Sequence, residues 1–332
     1  MLRFFVLLAI AASVVTAVAS ATPPGKNGRI AFRRYFDQQQ TWGAVFTIQP
    51  SGKGARQVTH PPKGTLDDQP DWSPDGSHIT FARCGDPCRV ATIAANGTDL
   101  RLLTPNCPLS QGSPDCVSVG GAAYSPDGQL IVYGAASGDV KVFPGGGDQA
   151  ATVSLVIMDA NGENGRTVLQ LGDYTGDTNY PQFSPDGKQL VFEQANSRLG
   201  NPANSRAVFV VGVDGTGLKR LTPWSMSAGD GPDWSPDGSW ILFRSNVEVS
   251  GKQSQINVVR PDGTGFKRLT HFKPGTTVLS ATFSPDGKWI VLSAAGKAGQ
   301  PDIYVMRANG TALRPVTRTS IWDSAPDWGS AR

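Results

Sequence analysis

Residues 70–77 read Pro-Asp-Trp-Ser-Pro-Asp-Gly-Ser, and most of this stretch returns four more times. The copies are AAYSPDGQ (122–129), PQFSPDGK (181–188), PDWSPDGS (232–239) and ATFSPDGK (281–288). Proline presets φ and glycine takes a backbone conformation other residues resist, so SPDG predicts a tight turn. An aromatic precedes it in every copy, at the end of one strand. After it come alternating apolar runs, HITFAR, LIVYGA, LVFEQ, WILFRS and WIVLSA, which predict a second strand. A third strand follows each time (VATIAANG, LVIMDANG, VFVVGVDG, INVVRPDG, IYVMRANG) and closes on an Asn-Gly or Asp-Gly hairpin signal. The fourth reads LRLLT, RTVLQL, LKRLT, FKRLT or LRPVT.

Aligned on the turn serines, Ser73, Ser125, Ser184, Ser235 and Ser284 lie 52, 59, 51 and 49 residues apart. In the terminal APDWGSAR, Gly329 takes the serine place 45 residues later. A period near 50 with about four short strands per repeat is the mark of a propeller blade. The first unit, KNGRIAFRRY onward, lacks an inner strand, and the last copy supplies only that strand. The expectation is an all-β, six-bladed propeller of four-stranded antiparallel blades, closed by pairing the N- and C-terminal strands. Closure removes sheet edges that would otherwise template aggregation.

The 332 residues contain 39 glycines and 25 prolines without collagen periodicity, in keeping with a turn-rich β protein. A formal net charge of +3, scattered along the chain, gives no nucleic-acid footprint. Residues 1–21, MLRFFVLLAIAASVVTAVASA, have a single early cation, an apolar run and small residues at the end. They read as a signal peptide, with an uncleaved anchor as the alternative. The expected layout is 1–21 signal peptide and 22–332 one propeller domain, exported to a periplasmic or extracellular location with no later membrane span. Cys84, Cys88, Cys107 and Cys116 are then expected as disulfides, Cys84 with Cys88 and Cys107 with Cys116 by loop placement. Four-thiolate zinc is the rival reading.

The aromatic-SPDG turn, the IYVM-type strand, the Asp-Gly-Thr or Asn-Gly-Thr turn and RLT resemble the WD-repeat-like propeller of the TolB family over nearly all of residues 27–329. That resemblance implies an exported envelope component of the Tol–Pal type. TolB proper carries an α/β domain ahead of its propeller, and here the repeats begin within a few residues of the expected cleavage site. Similar propellers are the lids of prolyl-oligopeptidase-type peptidases and the scaffolds of some exported polysaccharide lyases.

Alternating strand direction sorts the loops. The PDG and NG or DG turns emerge on one face. The connections between second and third strands, and from each unit to the next, emerge on the other, with every long insert. Variable loops on a rigid scaffold are where binding chemistry sits, which selects that second face. It gathers aromatics in the unit-to-unit connections: Tyr174, Tyr180, Trp224, Phe272 and Trp322, with Trp224 and Trp322 nearest the loop middles. These suit a protein or peptide partner; packing between blades is the alternative.

Asp68, Asn179, Asp230 and Asp323, with Asp67 and Asp177 close by, precede the inner strands and are expected to ring the channel mouth. Such oxygens either hold a hard cation such as calcium or bond backbone amides between blades. Lys219, Arg220, Lys267 and Arg268 fall on outer strands, where charge blunts an exposed edge.

The chain has no GxSxG, P-loop or HExxH. Its histidines, His60, His78 and His271, fall on opposite faces. The sequence therefore favours a monomeric, non-catalytic binding module without a cofactor. The second hypothesis is a cell-wall-polymer or carbohydrate binder or enzyme using channel-mouth carboxylates.

Overall fold

The computed structural model describes residues 25–85, 87–105, 117–137, 141–142, 148–149, 152–172, 178–196, 205–247, 253–296 and 299–331. The expected signal peptide, and Cys107, Cys116, Tyr174 and Asp177, lie outside these residues.

The repeated turn is a closed hydrogen-bond circuit. Ser73 Oγ donates to Asp75 Oδ1 (2.7 Å) and accepts from the His78 amide (2.8 Å), while Asp75 Oδ1 also accepts the Ser77 amide (2.8 Å). Gly76 closes the turn at φ +66°, in the left-handed region that a side chain disfavours. The same circuit recurs at Ser125/Asp127, Ser184/Asp186, Ser235/Asp237 and Ser284/Asp286. Serine, aspartate and glycine are thus each required at their own place in the motif.

From each turn the strands run as the alternation predicts. Unit two is Leu66–Trp72, His78–Cys84, Cys88–Ala94 and Arg101–Leu102. Units three to six begin on the inner strands Val117–Tyr124, Thr178–Phe183, Ala228–Trp234 and Thr277–Phe283, and each is a four-stranded antiparallel sheet. In unit one the inner strand Asp323–Ser330 pairs antiparallel with Asn27–Tyr35, joining the chain ends. Gly43–Ile48 and Arg56–Gln57 complete that sheet. Units one and two do not separate completely. A single parallel pairing, Gly43 with Leu66, merges them into one eight-stranded sheet. A short ribbon, Lys141–Val142 with Asp148–Gln149, was not expected from the repeat.

The inner strands touch in succession, and Thr277–Phe283 touches Asp323–Ser330 to complete the circuit. The core lies between sheets rather than within any one of them. Phe32, Ile48, Val305 and Trp328 join units six and one, and Phe81, Val45 and Ile79 join units one and two. Phe183, Phe192 and Leu155 bind units three and four, and equivalent clusters fill the remaining junctions. One face of each sheet is buried against its predecessor and the other against its successor, so both alternating sets of side chains are apolar. Cys84 and Cys88 are disulfide-bonded across the second hairpin of unit two, as expected.

Candidate binding surface at the channel mouth

Every inner strand carries an irregularity in its pairing before its aromatic, for example between Asp68 and Asp71 and between Gly229 and Asp233. Gln69, Tyr180 and Ala325 take φ values of +54°, +56° and +50° there. A bulge of this kind turns side chains out of the pleat and toward the channel.

The carboxylates expected at the mouth are there, but each described one is matched by arginine. Asp67 accepts a bidentate pair from Arg83 (2.7 and 2.8 Å), and Asp323 accepts one from Arg34 (2.7 and 2.7 Å). Asp68 contacts Arg33, and Asp230 contacts Arg244 with Arg206 at 3.7 Å. Asp67 and Asp323, fully buried, are register equivalents, so the expected set of Asp68, Asp230 and Asp323 mixes two positions. Asn179 holds its place in the inner strand of unit four; its side chain lies outside the described residues.

Sequence reasoning missed Glu193. It is fully buried on the second strand of unit four, paired with Arg206, and accepts the Asp230 amide. A Cβ at Gly229 would collide with the Glu193 carboxylate, so glycine is what admits it. It also missed the arginines. The usable signal was there: Arg33, Glu193 and Arg244 occupy one position in the second strand, directly after the buried Phe32, Phe192 and Phe243. Burial works against the charge of Arg33, but Asp68, Tyr35 and Tyr180 together outweigh it and hold the guanidinium above its ordinary value. Burial pulls Arg244 down to about 10, against the opposing pull of Glu193.

This changes the chemistry expected of the mouth. A hard cation needs several free oxygens, and these carboxylates already face guanidinium groups. Among the described residues no three histidine, cysteine, aspartate or glutamate side chains are placed to share a metal ion.

The aromatics divide. Tyr180 is not in a connecting loop; it sits on the inner strand of unit four and lines the channel, where burial drives its hydroxyl well above the ordinary phenol value. Phe272 packs, half-buried, on the core between units five and six. Trp224 opens a short 3-10 turn, Trp224–Met226, with its ring 5.6 Å from Phe209 and Arg220 5.5 Å above it. Trp322 meets Tyr35 edge-on at 6.1 Å and donates from Nε1 to Ser324 Oγ (3.1 Å). Beside it Ile321 is 40% exposed. A further pair that the sequence did not flag, Phe36 and Trp42, packs edge to face at 4.7 Å in the same unit, and Arg33 lies 4.5 Å over Tyr35. Unit one thus presents a half-exposed aromatic patch next to the arginine–carboxylate ring.

Deeper in the channel, Asp327 accepts the Trp72 amide (2.8 Å), Asp71 that of Tyr124 (2.9 Å) and Asp233 that of Phe283 (2.7 Å). Each bond runs from one unit to the next. Gln182 Nε2 adds a bond to Asp71 Oδ1 at 3.2 Å. Burial pushes Asp233 up to about 8 and Asp327 up to about 6, and burial together with Asp327 pushes Asp71 well above the carboxylate range. The cavity that Asp71, Gln182 and Asp327 line is only about 50 Å³.

Comparison with known proteins fits this geometry. The family description "TolB beta propeller domain" matches residues 154–294. TolB from Acinetobacter baumannii has the same fold, with a TM-score of 0.69 at 18% identity over 92% of this chain and 67% of that one. The chain has the β-propeller fold of TolB. An oligogalacturonate lyase in complex with manganese shares the propeller fold with a TM-score of 0.59 and 15% identity, over 90% of this chain and 80% of that chain. In sequence, the propeller is 32% identical over 112 residues to dipeptidyl-peptidase 5 of Porphyromonas endodontalis, covering 34% of this chain. It is 25% identical over 254 residues, 74% of this chain, to the uncharacterized peptidase YuxL of Bacillus subtilis. The matched parts span 15% and 32% of those two proteins' lengths. No helix among the described residues is long and apolar enough to cross a membrane.

Proposed function

We propose that this TolB-like chain closes as six blades and acts as an exported, non-catalytic module of the cell envelope or secreted fraction, binding a protein or peptide on its loop face. The observation that carries this reading is the aromatic patch of unit one. Trp322 meets Tyr35 edge-on, the neighbouring Ile321 is exposed, and Arg33 lies over the Tyr35 ring, so apolar area is combined with a paired charge. Aromatic and arginine side chains of this kind are the usual anchors of protein interfaces. Trp224, half-buried on unit four, is a second anchor of the same face.

A photo-crosslinking residue at position 321, in protein exported by its own cell, tests the reading. The expected result is one discrete protein adduct that is lost in Trp322→Ala. A crosslinker that captures nothing, or an adduct indifferent to Trp322→Ala, contradicts it.

The second reading is a carbohydrate or cell-wall-polymer binder or enzyme at the channel mouth. The arginine ring supports it, because an acidic sugar presents carboxylates able to compete for Arg33, Arg206 and Arg244. It predicts that Arg244→Ala abolishes binding of an acidic oligosaccharide while Trp322→Ala does not.

A further inference from the structure

All six units place a cation at the same position of the outer strand: Arg56, Arg101, Arg166, Lys219, Lys267 and Arg314. Four of these reach across to the following unit. Arg56 donates to the carbonyl of Ala95, and Arg166 Nη1 to that of Val213 at 3.0 Å. Lys219 Nζ donates to the Asp262 carbonyl at 2.6 Å, and Arg314 Nη1 to that of Pro50 at 2.9 Å. The acceptors all lie in the turn between third and fourth strands. Lys219, read from the sequence as edge protection, therefore fastens one sheet to the next, as do Arg56, Arg166 and Arg314.

Two cations do not cross. Arg101 turns back onto Asp99 of its own unit, Nη2 to Oδ2 at 2.9 Å. Lys267 lies over the ring of Trp240, its Nζ 4.5 Å from the centroid, with no oxygen partner among the described residues. Cavities open at those two junctions, of about 560 Å³ between units two and three and about 800 Å³ between units five and six. Ala160 and Ala308, which occupy the acceptor turns there, line them. The missing fastening and the opening coincide at both places.

The two cavities are repeat equivalents with opposite linings. Where the first has His78, Thr92 and Tyr124, with Thr92 and Tyr124 hydrogen-bonded at 2.8 Å, the second has Trp240, Val258 and Phe283. Its floor is apolar, its outer end carries Lys267 and Arg268, and its inner rim carries Asp237 and Asp286. Those two carboxylates are committed through Oδ1 to Ser235, Ser239, Ser284 and the Lys288 amide. Among the described residues nothing donates to the second oxygen of Asp237, whereas Asn27 also bonds the Asp286 carboxylate. A cavity of this size suits a small ligand or a peptide end.

We infer that the groove between units five and six binds the C-terminal end of a short peptide whose last side chain is apolar. The chain-end carboxylate takes the ammonium of Lys267, with Arg268 beside it. The terminal side chain rests on Trp240, Val258 and Phe283, and the preceding peptide N–H group donates to Asp237. A chain end fits better than an acidic side chain because Lys267 and Trp240 are adjacent. Only a terminal residue carries a carboxylate and an apolar group on one α-carbon. The site is on the tight-turn face and is independent of the loop-face reading above.

Calorimetric titration of the whole protein with acetyl-Gly-Leu as the free acid, against the same dipeptide as its amide, tests the site. The acid binds saturably and the amide at least about tenfold more weakly, a difference of about 1.4 kcal/mol. Lys267→Ala and Lys267→Gln, at an exposed position, bring the acid to the level of the amide, and Trp240→Leu weakens both. Arg101→Ala, in the polar cavity, changes nothing. The inference is overturned if acid and amide bind alike, if neither binds, or if both Lys267 variants retain full affinity. It is also overturned if acetyl-Leu-Glu amide, whose only carboxylate is on a side chain, binds more tightly than the chain-end acid.

Discussion

At the level of single residues, the buried ion pairs are where the molecule is most sensitive. Asp323 is fully buried, and both its oxygens are taken by Arg34, a residue 289 positions away in sequence. Removing one partner of such a pair leaves an uncompensated buried charge, which costs about 3–5 kcal/mol. Arg34→Ala is expected to lower the stability measured by urea unfolding by that amount, whereas Arg34→Ala with Asp323→Ala recovers part of it. An Arg34→Ala protein as stable as the parent would mean that water reaches the pair. These pairs were not legible in the sequence. The aspartates stood out, but the arginines lay in strands read only for their apolar alternation. The bulged register that pairs Asp67 with Arg83, rather than Asp68, does not follow from a period of two. Tyr180 was misplaced for the same reason, since the strand of unit four begins two residues before it.

At the level of elements, the inner strands are held together by aspartates whose protonation differs between folded and unfolded chain. Burial keeps Asp233 protonated up to about 8 and Asp327 up to about 6, and raises Asp71 as well, against an ordinary value of 3.8. The folded protein therefore binds more protons than the unfolded chain between about pH 4 and about 8, and loses stability as pH rises through that window. The turn aspartates Asp75, Asp186, Asp237 and Asp286 oppose this below pH 4. Despite partial burial, their serine and backbone hydrogen bonds hold them below the usual value, so their contribution is lost on acidification. Urea midpoints are expected to be higher at pH 5 than at pH 8, with the difference reduced in Asp233→Asn, which keeps an acceptor for the Phe283 amide. A midpoint that rises from pH 5 to pH 8 would contradict the assignment. The strands themselves were legible. The SPDG circuit fixes where each second strand starts, and the apolar runs after it are the ones that fill the junctions between sheets. The eight-stranded merger was not, because it rests on one backbone pairing, Gly43 with Leu66, that no side-chain pattern encodes.

For the whole molecule, the claim on which the rest depends is that the two chain ends share one sheet, so that the circle of inner strands closes and sorts its connections onto two faces. The terminal APDWGSAR disclosed this in the sequence, since it repeats the inner-strand motif without its turn. The structure pairs Ile30 with Trp328 and Arg34 with Asp323. Trp328 is buried with Phe32 and Val305 in the junction between units six and one. A C-terminal strand held in this way opens only when the sheet opens, whereas an unanchored terminus frays freely. Native-state hydrogen exchange of the strand Asp323–Ser330 tests this most directly. Its amides are expected to exchange with the same opening free energy as those of Asn27–Tyr35 and Leu66–Trp72. Exchange of the C-terminal strand at the rate of a free chain end, while its neighbours stay protected, would contradict closure.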